Sequence, residues 1–569
     1  MLRTARLSLF AVLLLGLVTS CDFGAAGDAV DRFEVLVGLP SLASVVNLQA
    51  VDASDGSPIS QEVQVTFDGQ DESSVVDIYS DPLSEITVKG GFANFAVDST
   101  RSPSSENPVR LTLRAQAEGF SATSVSVQIT QEGSVNRVIR LSPENPEQSS
   151  EGTSGSRETV NTDDNGETTT AVTAQTGKTS SGSDAAEGSA SIPAGTSLRT
   201  ADGEPLQGQV TTDLSVFDNS SNAQELLPAE AKVTENGRRQ IRGAVRFQAK
   251  DGGGRRASQY GGVEGGEATE IAADLPTLST SSGTPSVTFV NPSTGASRTV
   301  ELAASNSSQR LSAGKRAQEE TTFQFIDGKV VVTTPSGKTD SIDMSQFEGE
   351  FFAAIGLEPS QRCAPQGTLD IGSNGQSGSL DVSVSGEGLS ANTQVSIPRS
   401  QSSFTLSAAD LFGVEMIPDV GSATVTLRAA DEQEVSTQID LCSESTSLDL
   451  PAPASDRISA TVRVVPDCPQ GERLPVSPPF DGYSVAYRQS GSTDQYQTVP
   501  KEDITINTTD DDLETVTSAV VPVSSVFPNT DYEFVGTFGE ESSSQVVTMP
   551  GQDGNEVTVT DQELRDQCR

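Results

Sequence analysis

The chain has 569 residues, with 79 acidic side chains against 36 lysines and arginines, a formal charge of −43, and neither histidine nor tryptophan. Without histidine there is no Ser-His-Asp or Cys-His nucleophilic system, no imidazole acid–base step and no His-ligated zinc. So acidic a surface excludes nucleic acid, whose phosphates need a basic face, and fits a saline, halophilic setting in which salt shortens the Debye length to about 3 Å.

The length allows about three to five domains. Residues 1–20 read as a signal peptide. Arg3 and Arg6 give a positive start, and the apolar run Leu7 to Val18 is too short to span a bilayer but right for a signal core. Val18-Thr19-Ser20-Cys21 follows and resembles the bacterial lipobox; an ordinary signal peptide cut near an unrelated cysteine is the alternative. The resemblance implies a diacylglycerol on the Cys21 thiol, cleavage before it, and residues 21–28 as an acylated tether. Two or three acyl chains, at about 0.8 kcal/mol per buried methylene, hold a protein firmly. The expected location is therefore the extracytoplasmic cell envelope. The lipid on Cys21 would attach the chain to a membrane, the outer membrane or cell surface being favoured over the inner.

Residues 29–145 alternate with period two: Val46, Leu48 and Ala50, then Val63, Val65 and Phe67, then Val109, Leu111 and Leu113, then Val125, Val127 and Ile129. Such alternation, broken by Gly, Pro and Asp/Ser clusters, predicts an antiparallel β-sandwich. The stretch Val51-Asp52-Ala53-Ser54-Asp55-Gly56-Ser57-Pro58-Ile59 before Val63 resembles the carboxypeptidase regulatory-like domain, which implies a small prealbumin-like sandwich with no catalytic groups. Residues 146–190 are mostly Ser, Thr, Gly and Glu and predict a disordered linker. Asn161-x-Asp163-x-Asn165-Gly166 imitates the start of a calcium loop, but Val172 stands where its last, bidentate acid belongs, so a turn is expected instead. Gly177-Lys178-Thr179 and Gly337-Lys338-Thr339 lack the earlier glycine of a phosphate loop, Val172 and Val332 standing there.

Residues 191–358 form a second β-rich domain. Its Asp202-Gly203-Glu204-Pro205-Leu206 repeats the Asp-Gly hairpin of the first. The basic doublets Arg238-Arg239, Arg255-Arg256 and Lys315-Arg316 are expected to be ion-pairing loops rather than an anion site. Residues 359–455 predict an Ig-like sandwich on the alternation of Leu380, Val382 and Val384 and of Val425, Leu427 and Ala429. In residues 456–569, Gly482 to Arg488 and Val526-Phe527-Pro528-Asn529-Thr530-Asp531-Tyr532 resemble a fibronectin type III domain. That resemblance implies Tyr532 packed in the sandwich with its hydroxyl bonded back to the loop; the early-strand tryptophan of the family is missing. The fold class is thus all-β, several Ig-like or prealbumin-like antiparallel sandwiches in tandem.

With Cys21 assigned to lipid, Cys363, Cys442, Cys468 and Cys568 remain for an oxidising compartment. Three connectivities are open; Cys363–Cys442 and Cys468–Cys568 are favoured because each pair brackets one domain, and each could stabilise it by about 4 kcal/mol. No catalytic residue, metal ligand or cofactor is expected. The function expected is a non-enzymatic, lipid-anchored envelope protein presenting sandwich domains for adhesion or assembly, with an unidentified protein partner. An accessory lipoprotein subunit of an outer-membrane transport or secretion complex is the alternative, and a carboxylate-dependent hydrolase a minor one. The anchor gives the first test: Cys21→Ser should leave an unprocessed precursor that takes up no labelled fatty acid, and normal labelling of that variant would disprove lipidation.

Overall fold

Alternating strands bury one face each, and in this chain successive pairs of sheets close over four separate apolar cores. The computed structural model describes residues 42 and 44–561, apart from 105–106, 131, 149, 180–184, 235–236, 262–267, 276–282, 302–319, 327–328, 334–338, 344–349, 387, 413, 415, 444, 455, 467, 469–473, 476–482, 493 and 510–511. Cys21, residues 1–20 expected as a signal peptide, Cys568 and the doublet Lys315-Arg316 lie outside the described residues.

Sandwich 1 packs a sheet containing Ser44–Asp52, Phe92–Val97 and Gly133–Leu141 on one containing Val63–Asp68, Val109–Ala117 and Thr123–Ile129. Val46, Leu48, Val63, Val65, Leu111, Leu113 and Val127 meet between them, as the alternation predicts. The Asp-Gly turn is built as expected: Gly56 takes φ 72°, its N–H reaches the Asp52 carbonyl, and Pro58 bridges to Val51. The same device recurs in sandwich 2, where Gly203 takes φ 82° and Pro205 bridges to Arg199.

Sandwich 2 is larger, two six-stranded sheets spanning Thr153–Pro359. Residues 146–190 do not form the expected linker. Thr153–Thr162 pairs with Gly208–Phe217 along its whole length and edges one sheet, while Val172–Gln175 edges the other and Glu187–Ile192 lies next to it, paired on its far side with Thr269–Asp274. Their composition misleads because a strand at or next to a sheet edge is held by ladder hydrogen bonds and buries little on one face. Here Val160, Ala174, Ala190 and Ile192 are sufficient, and the threonines suit strand geometry. The calcium-loop mimic is a tight turn: Asp163 Oδ1 accepts the N–H groups of Asn165 and Glu167, both at 2.9 Å.

Sandwich 3 pairs the sheet of Thr368–Gly372, Ser403–Ser407 and Ser445–Asp449 with that of Gly378–Gly386, Leu389–Ile397, Ala423–Ala429 and Glu434–Ile439. The Cys363–Cys442 disulfide forms as expected, its Cα atoms 5.6 Å apart. Sandwich 4 carries Ile458–Pro466, Asp512–Val526 and Glu556–Asp561 in one sheet and Tyr483–Gln489, Asp531–Phe538 and Glu541–Thr548 in the other. Tyr532 is buried, and its hydroxyl accepts the Phe527 N–H at 3.0 Å. Cys468 is disulfide-bonded. In sandwiches 1, 3 and 4 an early strand lies parallel to the last: Ser44–Asp52 on Gly133–Leu141, Thr368–Gly372 on Ser445–Asp449, and Ile458–Pro466 on Glu556–Asp561.

The sandwiches are not beads on a string. Sandwich 1 meets sandwich 4 through the buried Asn94, whose N–H donates to the Gly539 carbonyl at 2.7 Å and whose side-chain amide donates to the Thr537 carbonyl. Phe92 packs edge-on against Tyr496 at 5.1 Å, and Ile78 joins the core of sandwich 4. Sandwiches 1 and 2 are joined by Arg114–Glu230 at 2.8 Å and by Glu144 held between Lys250 and Arg256. Burial works against the Glu144 carboxylate, yet those two cations hold it below the ordinary carboxylate range. Sandwich 2 meets 3 through Arg362 on the Arg238 carbonyl, and sandwich 3 meets 4 through Arg399 on the Val523 carbonyl. The doublet Arg238-Arg239 is therefore not an exposed ion-pairing loop. Arg239 is fully buried, paired with Glu358 at 3.1 Å and hydrogen-bonded to Ser286 and Thr288. Arg255 and Arg256 do pair as expected, with Asp251 and with Glu144 and Glu350.

The corner hydrogen bond of sandwich 4 is open to a direct measurement. Tyr532→Phe keeps the ring but removes the acceptor of a partly buried N–H, and should cost about 1–2 kcal/mol in urea unfolding; an unchanged transition midpoint would show that the hydroxyl contributes nothing.

Candidate functional site

Because four sandwiches press on one another at their ends and edges, a space of ≈ 940 Å³ remains among them. All four contribute. Sandwich 1 supplies the Ala53–Gly56 turn with Arg137 and Arg140, and sandwich 2 supplies Asn222 and Glu225 from the start of a short helix and its end. Sandwich 3 supplies Asp381, Asn392 and Arg428, and sandwich 4 supplies Arg457, Arg488, Gln497 and Tyr532. The volume is that of a small-ligand site, but the wall is polar where such sites are usually apolar.

The charges in the wall are mostly answered. Arg140 pairs with Glu225 at 2.8 Å across the seam between sandwiches 1 and 2. Arg428 pairs with Asp494 at 3.7 Å and Arg457 with Glu432 at 3.7 Å, both across the seam between sandwiches 3 and 4. Arg488 lies over the Tyr496 ring, 4.3 Å from its centroid, and reaches Glu533 at 3.4 Å. Arg137 donates to the carbonyls of Asn136 and Gln128 and to the Thr393 hydroxyl. Burial pushes its guanidinium down to about 10, with Asp410 working the other way. Asp410 in turn accepts from Thr130 at 2.5 Å and from Ser407 at 2.7 Å.

Asp381 differs from its neighbours. Its strand, Gly378–Gly386, directs Leu380, Val382 and Val384 into the core of sandwich 3 and so directs Asp381 outward to the seam. Burial raises its carboxyl above the usual value, against the opposing effects of the Gln394 amide at 3.0 Å and of Arg428 and Arg140. Gln394 also donates to the Tyr496 carbonyl at 3.2 Å, which ties this carboxyl to sandwich 4.

Of these wall residues, sequence reasoning named only the Ala53–Gly56 turn, Arg488 and Tyr532, and those for their part in the fold rather than as a site. Arg140, Asp381, Asn392 and Arg428 are each one polar position on the outer face of an alternating strand, and such positions face solvent unless another sandwich covers them. The site residues that reasoning did single out, the cysteines, lie elsewhere: Cys363–Cys442 ties the start of sandwich 3 to its own end. Among the described residues no cluster of three or more His, Cys, Asp or Glu side chains could hold a metal ion, and no helix is long and apolar enough to cross a membrane.

No family model matches the chain, and no curated protein matches it. Among solved structures, a leucine-rich repeat protein from Bacteroides thetaiotaomicron aligns at 11% identity over 36% of this chain and 26% of its own length, with a TM-score of 0.15. A streptococcal ancillary pilin aligns at 9% identity over 51% of this chain and 94% of its own, with a TM-score of 0.13. The major pilin of Corynebacterium diphtheriae aligns at 9% identity over 91% and 99%, with a TM-score of 0.11. Overlaps at these scores carry no argument about function, which rests instead on the chain's own residues.

The raised Asp381 carboxyl sets a pH dependence. Its folded state holds the proton more tightly than the unfolded state, whose value is near 3.8, so this group's contribution to stability falls as pH rises from there through the folded value. Asp381→Asn should therefore raise the melting temperature at pH 7 and lose that advantage below pH ~4. A variant equally or less stable than the parent at pH 7 would refute it.

Proposed function

We propose that this chain is a non-enzymatic lipoprotein of the cell envelope, anchored through Cys21, whose four sandwiches act as a single binding body in adhesion or assembly. The observation that carries the reading is the set of polar seams. A simple spacer would join its domains by flexible linkers, whereas here Asn94, Arg114, Glu144 and Arg399 each bridge two sandwiches. Rigid mutual placement is what a composite binding surface needs and a tether does not. The signal sequence and lipobox supply the address. The Asp-Gly hairpin of sandwich 1 supports its likeness to the carboxypeptidase regulatory-like domain, and the Tyr532 corner supports that of sandwich 4 to fibronectin type III.

The hydrolase alternative required a substrate cleft. A cleft exists, but Glu225, Glu432 and Asp494 are paired with arginines and Asp381 and Asp410 are hydrogen-bonded, which favours binding over acid–base chemistry. The accessory-subunit alternative has one observation in its favour. Val546, 58% exposed, stands on Glu541–Thr548, the edge strand of its sheet in sandwich 4, where a partner strand could add.

In-cell crosslinking of the full-length chain, followed by mass spectrometry, separates these readings. The adhesion or assembly reading expects a membrane-bound chain with crosslinks among its own four sandwiches and no single stoichiometric envelope partner. Recovery of one obligate partner, lost on Val546→Lys, would replace it with the accessory-subunit reading.

A further inference from the structure

At its inner end the cleft continues into a recess of ≈ 100 Å³ where sandwiches 1, 2 and 3 converge; Arg140, Glu225 and Leu411 line both spaces. Four charged side chains face the recess: Arg140, Glu225, Lys232 and Arg238. The single acid is already bound to Arg140 at 2.8 Å. Lys232 Nζ donates to the Gln224 carbonyl at 3.1 Å, while the Arg238 guanidinium donates to the Ser390 carbonyl and lies over the Phe412 ring, 5.2 Å from its centroid. Among the described residues neither cation meets a carboxylate within ion-pair distance. Glu230, on the same short helix as Lys232, is directed to sandwich 1, where Arg114 at 2.8 Å and Ser124 hold it.

Two neighbouring cations among apolar walls such as Val233, Leu411 and Phe412 are costly to bury without an anion. The chain has more than two acids for every base, so carboxylates are not in short supply, yet among the described residues none pairs with Lys232 or Arg238. Burial, with repulsion from Arg238, pushes the Lys232 ammonium down to about 7, and Glu225 and Glu230 offset this only in part. Two cations that meet no carboxylate among the described residues, and a recess whose walls run on into those of the larger cleft, belong together.

We infer that the recess binds one oxyanion between Lys232 and Arg238, either a free ion or the terminal acidic group of a ligand that extends into the cleft. The ammonium serves as a point charge and the guanidinium as a planar fork, the pairing that suits phosphate-like oxygens. The assignment concerns the fold alone and stands whether or not Cys21 carries lipid.

The test is calorimetric titration of the detergent-solubilised full-length chain with inorganic phosphate, at an ionic strength held constant with sodium chloride. One phosphate per chain is expected, with a rise in melting temperature. Lys232→Met and Arg238→Met should each weaken binding by roughly tenfold or more, the scale of one charge-assisted hydrogen bond. Lys232→Met should also melt higher than the parent in phosphate-free buffer, because the uncompensated charge is gone. Arg463→Gln, which removes an exposed pair with Glu556, should bind phosphate normally. Glucose 6-phosphate separates the two sources: tighter binding than phosphate points to a ligand lying along the cleft, and equal binding to a free ion. No saturable binding, an equal effect of chloride, or unchanged affinity in both recess variants would overturn the assignment.

Discussion

The structure depends on how a chain with a formal charge of −43 holds several acidic bodies against one another. Like-charged sandwiches repel, and a screened surface charge supplies no attraction of its own. The chain meets this by placing its scarce cations at the seams. Arg114, Lys250 and Arg256 join sandwiches 1 and 2, Arg238 and Arg362 join 2 and 3, and Arg399 and Arg457 join 3 and 4. Several are substantially buried; the Arg114 side chain, at 8% exposure, is held by both Asp68 and Glu230. Removing one partner of such a pair leaves a buried charge and costs about 3–5 kcal/mol, far more than an exposed pair contributes.

Around these charges the seams add modest apolar contact. Phe92 with Tyr496, Ala486 and Val535 makes a small cluster between sandwiches 1 and 4. The two short helices Ser221–Glu225 and Ala229–Lys232 cover an outer sheet face of sandwich 2, with Phe217, Leu227 and Phe352 beneath them. Those helices do two things at once. They close an apolar face that would otherwise meet water, and they carry Glu225, Glu230 and Lys232 to the junction with sandwiches 1 and 3. The cleft is the consequence, since convex bodies joined at their edges cannot fill the space between them.

The parallel pairing of early and last strands in sandwiches 1, 3 and 4 sets like ends together, in sandwich 1 Ser44 beside Gly133 and Asp52 beside Leu141, so each unit begins at one end of its sheet and finishes at the other. Each domain can then follow the previous one without a long connection. In sandwich 3 the Cys363–Cys442 bridge lies just before the beginnings of the two parallel strands, and it constrains a loop within one domain rather than the placement of two.

Much of the fold was legible in the sequence because it is set by local periodicity. The alternation at Val46, Leu48 and Ala50, the Asp-Gly turns at Gly56 and Gly203, and the corner around Tyr532 are decided by strand pleat, by φ angles that favour glycine, and by one ring with one hydroxyl. Residues 146–190 were misread because composition reports how much apolar surface a segment offers, and strands at or next to a sheet edge need little. The cleft and its recess were not legible at all. Arg137 and Arg238 occupy polar positions that meet Thr393 and Ser390, far away in sequence, and no local pattern distinguishes a solvated polar face from one that another sandwich will cover. The sequence by itself determined the alternating strands of the β-sandwich units; only the tertiary structure decided which outward-facing charges became buried, because that depends on how whole domains dock.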